Sequence, residues 1–413
     1  MLTAHVTSPL KHNKMGQQFS PFSKEELMPK PEMLEVLKQK GNLKIGIPKE
    51  TLLEEKRICL TPDAVSALVA NGHSILLETG AGLGAKFSDS DYSEAGAQIS
   101  YDRKAVFGCN IILKVEPPTL EEIGYINPQS VLFSAMQLKT QKKSYFEALA
   151  KKRITAIAFD YIKDAHGVYP IVKSLSEIAG TASVLIAAEY LNTCTNGNGI
   201  LLGNIAGVNP SEIVILGAGN VGEAATRTAL GLGLKVTVFD NSITKLRNLQ
   251  YNLGQMVATS TVQPKTLKKL LRRCDAVIGA VRGKSRTPII VTEEMVQRMK
   301  EGAVIVDVCI DRGGCFETSE ITKHSNPTFK KHGVIHYCVP NIPSRYSRTS
   351  SISISNFFTP YLLNIGEMGG LENAAHFDKG LQNGMYFYHG ILTNKTVADW
   401  FDLPFRDINL LIL

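Results

Sequence analysis

The sequence lacks the cysteine patterns that mark disulfide-bonded and metal-binding proteins. Its seven cysteines include no C-x-x-C pair, and an odd number fits poorly with a secreted framework of paired disulfides. Several lie inside apolar runs, such as Cys309 in AVIVDVCID, where a free thiol packs as a small hydrophobic group. We therefore predict reduced cysteines and no metal site.

Long hydrophobic runs and clusters of one charge are also missing. The N-terminal segment MLTAHVTSPLKHNK has no signal-peptide core, and no later segment approaches roughly 18 uncharged apolar residues. The formal net charge is +7, but the lysines and arginines are scattered rather than gathered into a stripe. These absences predict a cytoplasmic protein with no membrane segment and no nucleic-acid partner.

The composition is that of a folded protein with more than one core. Hydrophobic residues make up 44% of the chain and charged residues 20%, which is ordinary for a soluble globular protein. A chain of 413 residues is too long for a single ordinary core, so we expect two domains.

Two stretches alternate short apolar runs with helical segments, as βαβ units do. The first contains KIGIP, SILLET, NIILKV, SVLFS and ITAIAFD, with helices over about 62–71 and 90–96. The second, from 212 to 340, contains EIVILGAG, KVTVFD, DAVIGAV, AVIVDV and VIHYCV. The sequence therefore predicts an α/β fold of two doubly wound, Rossmann-like domains with mostly parallel sheets, separated by a cleft.

The remaining segments indicate how the two domains are joined. Ser174–Leu191 is rich in Ala, Leu and Ile, which predicts a long buried helix between them. The tail from about residue 350 has no clear sheet of its own and is expected to pack on the first domain. Ser23 and Glu26 form a possible capping box that starts an N-terminal helix. The predicted boundaries are 1–42 for an extension, 43–172 and 348–413 for a discontinuous first domain, and 173–347 for the second.

One glycine-rich loop has the pattern of a phosphate-binding turn. An apolar strand runs into G-A-G-N-V-G at 217–222, and a helix of small residues follows. Gly217 permits the tight turn, Gly219 lets backbone approach a pyrophosphate, and Gly222 allows close packing of helix on strand. Asp240 ends the next strand, where a carboxylate binds ribose hydroxyls and repels a 2′-phosphate, so NAD is favoured. Lys245 and Arg247 follow a few residues later, and because such cations can bind a 2′-phosphate, NADP stays an alternative.

With these motifs placed, the sequence resembles the family of alanine dehydrogenases and nicotinamide nucleotide transhydrogenases. The resemblance extends from Leu43 to about Asn341, and more faintly through the tail. The matching stretches include IGIPKE, KRICLTPDAV, ETGAGLGAKFSDSDYSEAGA, ILKVEPP, LSEIAG, ILGAGNVG, VIGAV and VDVCIDRGGCFE. It implies a substrate domain and an NAD-binding domain, assembled as a homo-oligomer, a dimer or a hexamer.

The resemblance also implies individual site residues. Arg57 matches the arginine that binds the substrate carboxylate, and its planar fork suits a bidentate grip. Asp311 matches the acid beside the nicotinamide and is expected at the end of a buried strand. Further cofactor contacts are expected from Ser176, Asn220, Val221, Ala280, Val281 and Asn341.

Two positions depart from the family's pattern. The alanine dehydrogenases carry a lysine where this sequence has Glu116, and a catalytic histidine where it has Gln137. Lys114 is the nearest replacement, because two residues along a predicted strand share a face about 7 Å apart. Gln137 can hydrogen-bond a carbonyl group but cannot carry a proton at neutral pH.

The resemblance thus implies an alanine dehydrogenase-like enzyme that uses NAD to oxidise L-alanine to pyruvate by hydride transfer, acting on small amino or keto acids. The departures leave three alternatives open. These are a transhydrogenase-like enzyme, a saccharopine dehydrogenase-like enzyme whose substrate carries an extra cationic group that faces Glu116, and a catalytically silent NAD-binding sensor.

Overall fold

A computed structural model describes residues 41–52, 54–283 and 286–412. The described residues belong to one compact unit that holds two β-sheets. The N-terminal helix predicted from Ser23 lies outside the described residues, so it stays a prediction.

The first half of the chain alternates strands and helices as the apolar runs predict. Its strands are β1 (Lys44–Ile47), β2 (Ser74–Glu78), β3 (Gln98–Ser100), β4 (Ile111–Leu113), β5 (Val131–Ser134) and β6 (Thr155–Ala158). Its helices are α1 (Pro62–Ala70), α2 (Asp89–Glu94), α3 (Arg103–Phe107), α4 (Leu120–Tyr125), α5 (Lys143–Lys151) and α6 (Pro170–Leu191).

The second stretch repeats this alternation. Its strands are β7 (Glu212–Leu216), β8 (Lys235–Phe239), β9 (Ala258–Ser260), β10 (Ala276–Gly279), β11 (Val304–Asp307), β12 (Thr328–Lys331) and β13 (Val334–Tyr337). Its helices are α7 (Asn220–Gly231), α8 (Ile243–Leu253), α9 (Pro264–Leu271) and α10 (Glu293–Val296).

The tail is mostly helical and adds two strands. Its elements are α11 (Ser347–Glu367), α12 (Leu371–Phe377), α13 (Lys379–Gly384), β14 (Met385–Tyr388), β15 (Ile391–Leu392) and α14 (Lys395–Phe401). β14 pairs antiparallel with β6, so the end of the chain extends the first sheet.

Both sheets are mostly parallel, which confirms the predicted fold class. The first has the order β15-β14-β6-β5-β4-β1-β2-β3, and the second has the order β12-β13-β11-β10-β7-β8-β9. In the second sheet the edge strand β12 runs antiparallel to β13. All residues of β7, β10 and β11 are buried, as expected for central strands that helices cover on both faces.

The long helix α6 holds the glycine-rich loop region in place. Its length and its mean hydropathy of 1.4 over 18 residues are those of a membrane-spanning helix, but core helices of soluble proteins also have these two properties. A Cβ atom on Gly180 would lie 2.2 Å from the carbonyl oxygen of Val221, so α6 and α7 approach closely. This contact fixes the start of α7, where the loop ends.

The topology collects the chemically interesting residues at two sheet edges. Arg57, Glu116 and Gln137 follow β1, β4 and β5, so they lie at the carboxyl edge of the first sheet. The segments after β7, β10, β11 and β13 lie at the carboxyl edge of the second. In open α/β sheets, ligands bind at these edges.

Candidate functional site

The loop after β7 has the shape that a pyrophosphate requires. Gly217 adopts φ +109°, and a Cβ atom on Gly222 would lie 1.9 Å from the carbonyl oxygen of Gly217. Around Gly219, by contrast, no described atom beyond those of its chain neighbours lies within 4 Å of where a Cβ would be. The 12-residue helix α7 begins at Asn220 without a side-chain cap, so its first N–H groups point into this space. Asn220 and Val221 are the first two residues of that helix. The residues present therefore fit a dinucleotide.

Neighbouring segments support the loop. Ala280 donates its N–H to Leu216 at 2.7 Å, and Val281 also lies against the Gly217 turn. The half-buried Asp240 accepts hydrogen bonds from the backbone of Ala218 at 2.9 Å and of Ser242 at 2.8 Å. The predicted ribose ligand thus also braces the glycine loop.

Ser176 lies on α6, and the structure gives it a local role. Its hydroxyl donates a hydrogen bond to the carbonyl oxygen of Val172 at 2.6 Å, within the same helix. Its predicted contact with the cofactor stays a prediction.

Arg57 is buried and held by an acid two residues before it. Nε and Nη2 of Arg57 donate to the two carboxylate oxygens of Glu55 at 2.8 and 2.6 Å. Burial opposes both charges, but the pairing outweighs it, so the pKa of Arg57 is raised and that of Glu55 is lowered to about 2. Among the described residues, no acceptor contacts Nη1 of Arg57. That edge of the guanidinium can bind a carboxylate.

Glu55 also connects the two sheets, a role that sequence reasoning missed. Asn341 Nδ2 donates to it at 2.7 Å and Ser344 Oγ at 3.0 Å. Both follow β13 at the edge of the second sheet. The carboxylate therefore fixes the position of Arg57 relative to the cofactor side of the site.

Glu116 and Gln137, which replace the family's lysine and histidine, contact each other. Gln137 Nε2 donates a hydrogen bond to Glu116 Oε2, and Glu116 Oε1 lies 3.9 Å from Nη2 of Arg57. Burial, and next the negative charge of Glu55, raise the pKa of Glu116 to about 8. A carboxylic acid that is mostly protonated at neutral pH thus lies beside Arg57. Gln137 has φ +42°, in the left-handed region that few non-glycine residues adopt.

The prediction that Lys114 shares a strand face with Glu116 was wrong, because β4 ends at Leu113. Lys114 is buried, and its Nζ lies 2.8 Å from Glu50 and 3.9 Å from Glu122. These two carboxylates neutralise the charge of Lys114. Lys114 is therefore not positioned by Glu116 or Arg57, and a direct catalytic role for it stays untested.

Asp311 lies in a loop rather than at the strand end where it was predicted. β11 ends at Asp307, and Asp311 belongs to the short 3-10 helix Ile310–Arg312. Its Oδ1 accepts a hydrogen bond from the backbone N–H of Asn341 at 3.3 Å. Desolvation by the residues around it raises the pKa of Asp311 to about 6, although part of its side chain is exposed to solvent. Arg57 is near enough to oppose that rise.

A buried aspartate that sequence reasoning missed shapes this loop. Asp307 accepts hydrogen bonds from the backbone of Cys309 and of Cys315, both at 3.1 Å, and from Ser319 Oγ at 2.6 Å. The ligand atoms of Asp307, Cys309 and Cys315 lie within 4.8 Å of one another, a spacing that a metal ion could use. Because donors already fill both carboxylate oxygens, we interpret the cluster as the clamp of the loop that carries Asp311. All seven cysteines are free thiols, and six are buried.

Comparison with known proteins agrees with this geometry. Residues 46–179 match the alanine dehydrogenase/PNT N-terminal domain, and residues 183–395 match the corresponding C-terminal domain. An alanine dehydrogenase of Staphylococcus epidermidis is 39% identical over 368 residues, which cover 89% of this chain and 99% of that protein. Alanine dehydrogenase 2 of Staphylococcus aureus is 38% identical, with 89% and 98% covered.

Solved structures show the same relationship. An L-alanine dehydrogenase matches with a TM-score of 0.81 and 34% identity, covering 87% of this chain and 99% of that one. A transhydrogenase from Sinorhizobium meliloti has the same fold, with a TM-score of 0.73, 23% identity, and 86% and 99% covered. The resemblance inferred from the motifs is confirmed: the chain belongs to the alanine dehydrogenase/PNT family.

Proposed function

We propose that this protein is an NAD-dependent amino-acid dehydrogenase that oxidises L-alanine. The balanced reaction is L-alanine + NAD⁺ + H₂O → pyruvate + NH₄⁺ + NADH + H⁺. The observation that carries the proposal is a chain of hydrogen bonds that links Arg57 to Asp311, in the loop after β11, through Glu55 and Asn341. The loop after β7, at the same edge of the second sheet, fits a dinucleotide. The similarity to alanine dehydrogenases along 89% of the chain supports it.

Arg57 is the partner that we propose for the α-carboxylate of the substrate. Glu55 occupies Nε and Nη2 of Arg57, so the carboxylate would bind at the edge formed by Nη1. Glu55 keeps that edge in one orientation, because it is itself held by Asn341 and Ser344. This preorganisation reduces the entropy cost of orienting the reacting carbon.

The proton-carrying groups are Glu116 and Asp311. Protonated Glu116 can donate a hydrogen bond to the oxygen or nitrogen on the reacting carbon, the task that the family gives to cationic side chains. Asp311, with a pKa near 6, is mostly ionised at pH 7 to 8 and can accept a proton from the amine or from water. Gln137 orients Glu116. Bound NAD supplies the hydride acceptor.

Steady-state formation of NADH from L-alanine and NAD tests this function. Arg57→Lys keeps the charge but loses both the fork that Glu55 holds and the Nη1 group that would bind the substrate, so we expect the KM for L-alanine to rise at least about tenfold. Lys56→Ala, at the exposed neighbouring position, is the matched control and should change KM little. NADH binding without any turnover of L-alanine in the wild-type protein would overturn the proposal.

That same result would favour a second function, an NAD-binding protein without catalysis. The observation behind it is that Arg57 already has a buried carboxylate partner and that no lysine contacts it among the described residues. A substrate with an extra cationic group has less support, because Glu116 is mostly uncharged at neutral pH.

We further propose that the protein is a cytoplasmic homo-oligomer, a dimer or hexamer, without a membrane partner. Supporting an oligomer, the region after α6 exposes several large apolar side chains, which are the kind of surface that subunit interfaces cover. They are Leu201, Ile205 and Val208. Sedimentation velocity of the full chain measures its mass, and a monomer at all concentrations would contradict the oligomer.

A further inference from the structure

A second group of charged residues lies in the same cleft, on the side of Gln137 away from Arg57. Asp160 follows β6 at the carboxyl edge of the first sheet. Its Oδ1 lies 3.4 Å from the backbone N–H of Met136, the residue before Gln137. Asp160 is half-buried, and its electrostatic neighbours across the cleft are Arg282 and Arg312.

The two arginines come from the second sheet. Arg312 is the residue after Asp311, and Arg282 follows β10. Nη1 of Arg312 donates to the carbonyl oxygen of Gly283 at 3.5 Å. In the described ranges, neither arginine has a carboxylate within 4.0 Å, although the positive charges of both oppose the rise that burial gives to the pKa of Asp160.

The positive charges of Arg282 and Arg312 are consequently not balanced by an ion pair. Desolvation, and next the positive charge of Arg282, lower the pKa of Arg312, even though Asp311 and Asp160 act in the opposite direction. Two guanidinium groups that repel each other beside a partly desolvated carboxylate are stabilised when another anion binds between them.

We propose that Arg282 and Arg312 form an anion subsite for a side-chain carboxylate of the substrate, so that the enzyme accepts dicarboxylic L-amino acids. This inference rests on the proposed dehydrogenase function. Arg57 binds the α-carboxylate at one end of the cleft, and Asp311 contacts the reacting centre. The side-chain carboxylate would bind at Arg312, which follows Asp311 in the same 3-10 helix.

Carboxylate is the chemistry that this arrangement suits. The planar guanidinium fork binds a carboxylate bidentately, and a neutral amide of the same shape offers only one acceptor and no charge. The competing anion in the cleft is the pyrophosphate of the dinucleotide. Ala280, two residues before Arg282, borders the Gly217 turn, so the experiment must separate the two roles.

The test compares each dicarboxylic amino acid with its own amide. We expect kcat/KM for L-glutamate to exceed that for L-glutamine about tenfold or more, and the same for L-aspartate over L-asparagine. In Arg312→Gln this acid-to-amide ratio should fall towards 1, and Arg312→Lys should retain part of it. Arg298→Gln, a surface arginine paired with Glu294, is the control and should leave the ratio unchanged.

Three results would overturn the inference. They are equal kcat/KM for acid and amide in the wild-type protein, an unchanged ratio in Arg312→Gln, and a rise in the KM for NAD alone in that variant, which would assign the arginine to the cofactor. Should no amino acid be oxidised, the proposed function fails, but calorimetry still tests the subsite. With NAD⁺ present, 2-oxoglutarate should bind about tenfold more tightly than pyruvate, and Arg312→Gln should remove the difference; equal affinities would refute the subsite.

Discussion

Glu55 and Arg57 form a buried bidentate ion pair, with Nε and Nη2 of the arginine 2.8 and 2.6 Å from the carboxylate oxygens. The pair links Arg57, which we propose binds the substrate, to the second sheet, since Asn341 and Ser344 hold the same carboxylate. Removing one partner of such a pair leaves an uncompensated buried charge.

Glu55→Gln should therefore lower the free energy of unfolding by about 3 kcal/mol at pH 7, measured by urea denaturation. The pKa of Glu55 is lowered from 4.5 to about 2, so its contribution is fully present above about pH 4.5 and is lost as the pH falls towards 2. The variant should lack this acid-dependent loss. Glu147→Gln, at an exposed position on α5, is the control, and equal destabilisation of both variants would contradict the prediction.

The raised pKa of Glu116 predicts the alkaline limb of the activity profile. The group is protonated below about pH 8, so a step that needs its proton should slow as the pH rises through that value. Glu116→Gln cannot lose a proton there, and its kcat/KM for L-alanine should be lower but flat across this range. The pH dependence of kcat/KM measures this, and an alkaline limb that persists in the variant would assign it to another group.

The open space above Gly219 predicts a variant that damages binding without damaging the fold. Gly219→Ala should raise the Kd for NADH at least about tenfold, because its methyl group fills the space where a pyrophosphate would approach. Loss of stability should stay below about 1 kcal/mol.

Gly231→Ala is the matched control, since a Cβ on Gly231 would also have no described atom within 4 Å beyond its own stretch of chain, but Gly231 lies at the far end of α7. It should leave the fluorescence titration with NADH unchanged. An unchanged Kd in Gly219→Ala would mean that the cofactor does not use this loop.

The parts of the site that could be predicted from sequence depend on local chemistry. The spacing of Gly217, Gly219 and Gly222 has one physical explanation, because strand, turn and helix are contiguous in the chain. Apolar runs likewise predict the buried central strands. The short strands β3, β9 and β12 were not predicted, because three or four partly exposed residues show no distinctive pattern.

The remaining features arise from contacts between distant segments. Glu55 is an ordinary acid in the sequence, and its role depends on Asn341 and Ser344, nearly 290 positions away. The prediction for Lys114 failed because it assumed that β4 continues to Glu116, whereas β4 ends at Leu113 and the chain bends at residues 115–116. Nothing local indicates that Glu50 lies beside Lys114.

The most direct test follows the hydrogen on the α-carbon of the substrate. Incubation of the full chain with NAD⁺ and L-alanine deuterated at C2 should yield NADH that is heavier by about one mass unit, because hydride transfer moves that atom to the nicotinamide ring. Mass spectrometry of the reduced cofactor measures it. Unlabelled NADH, or no NADH from a protein that still binds the cofactor, would contradict the proposed reaction.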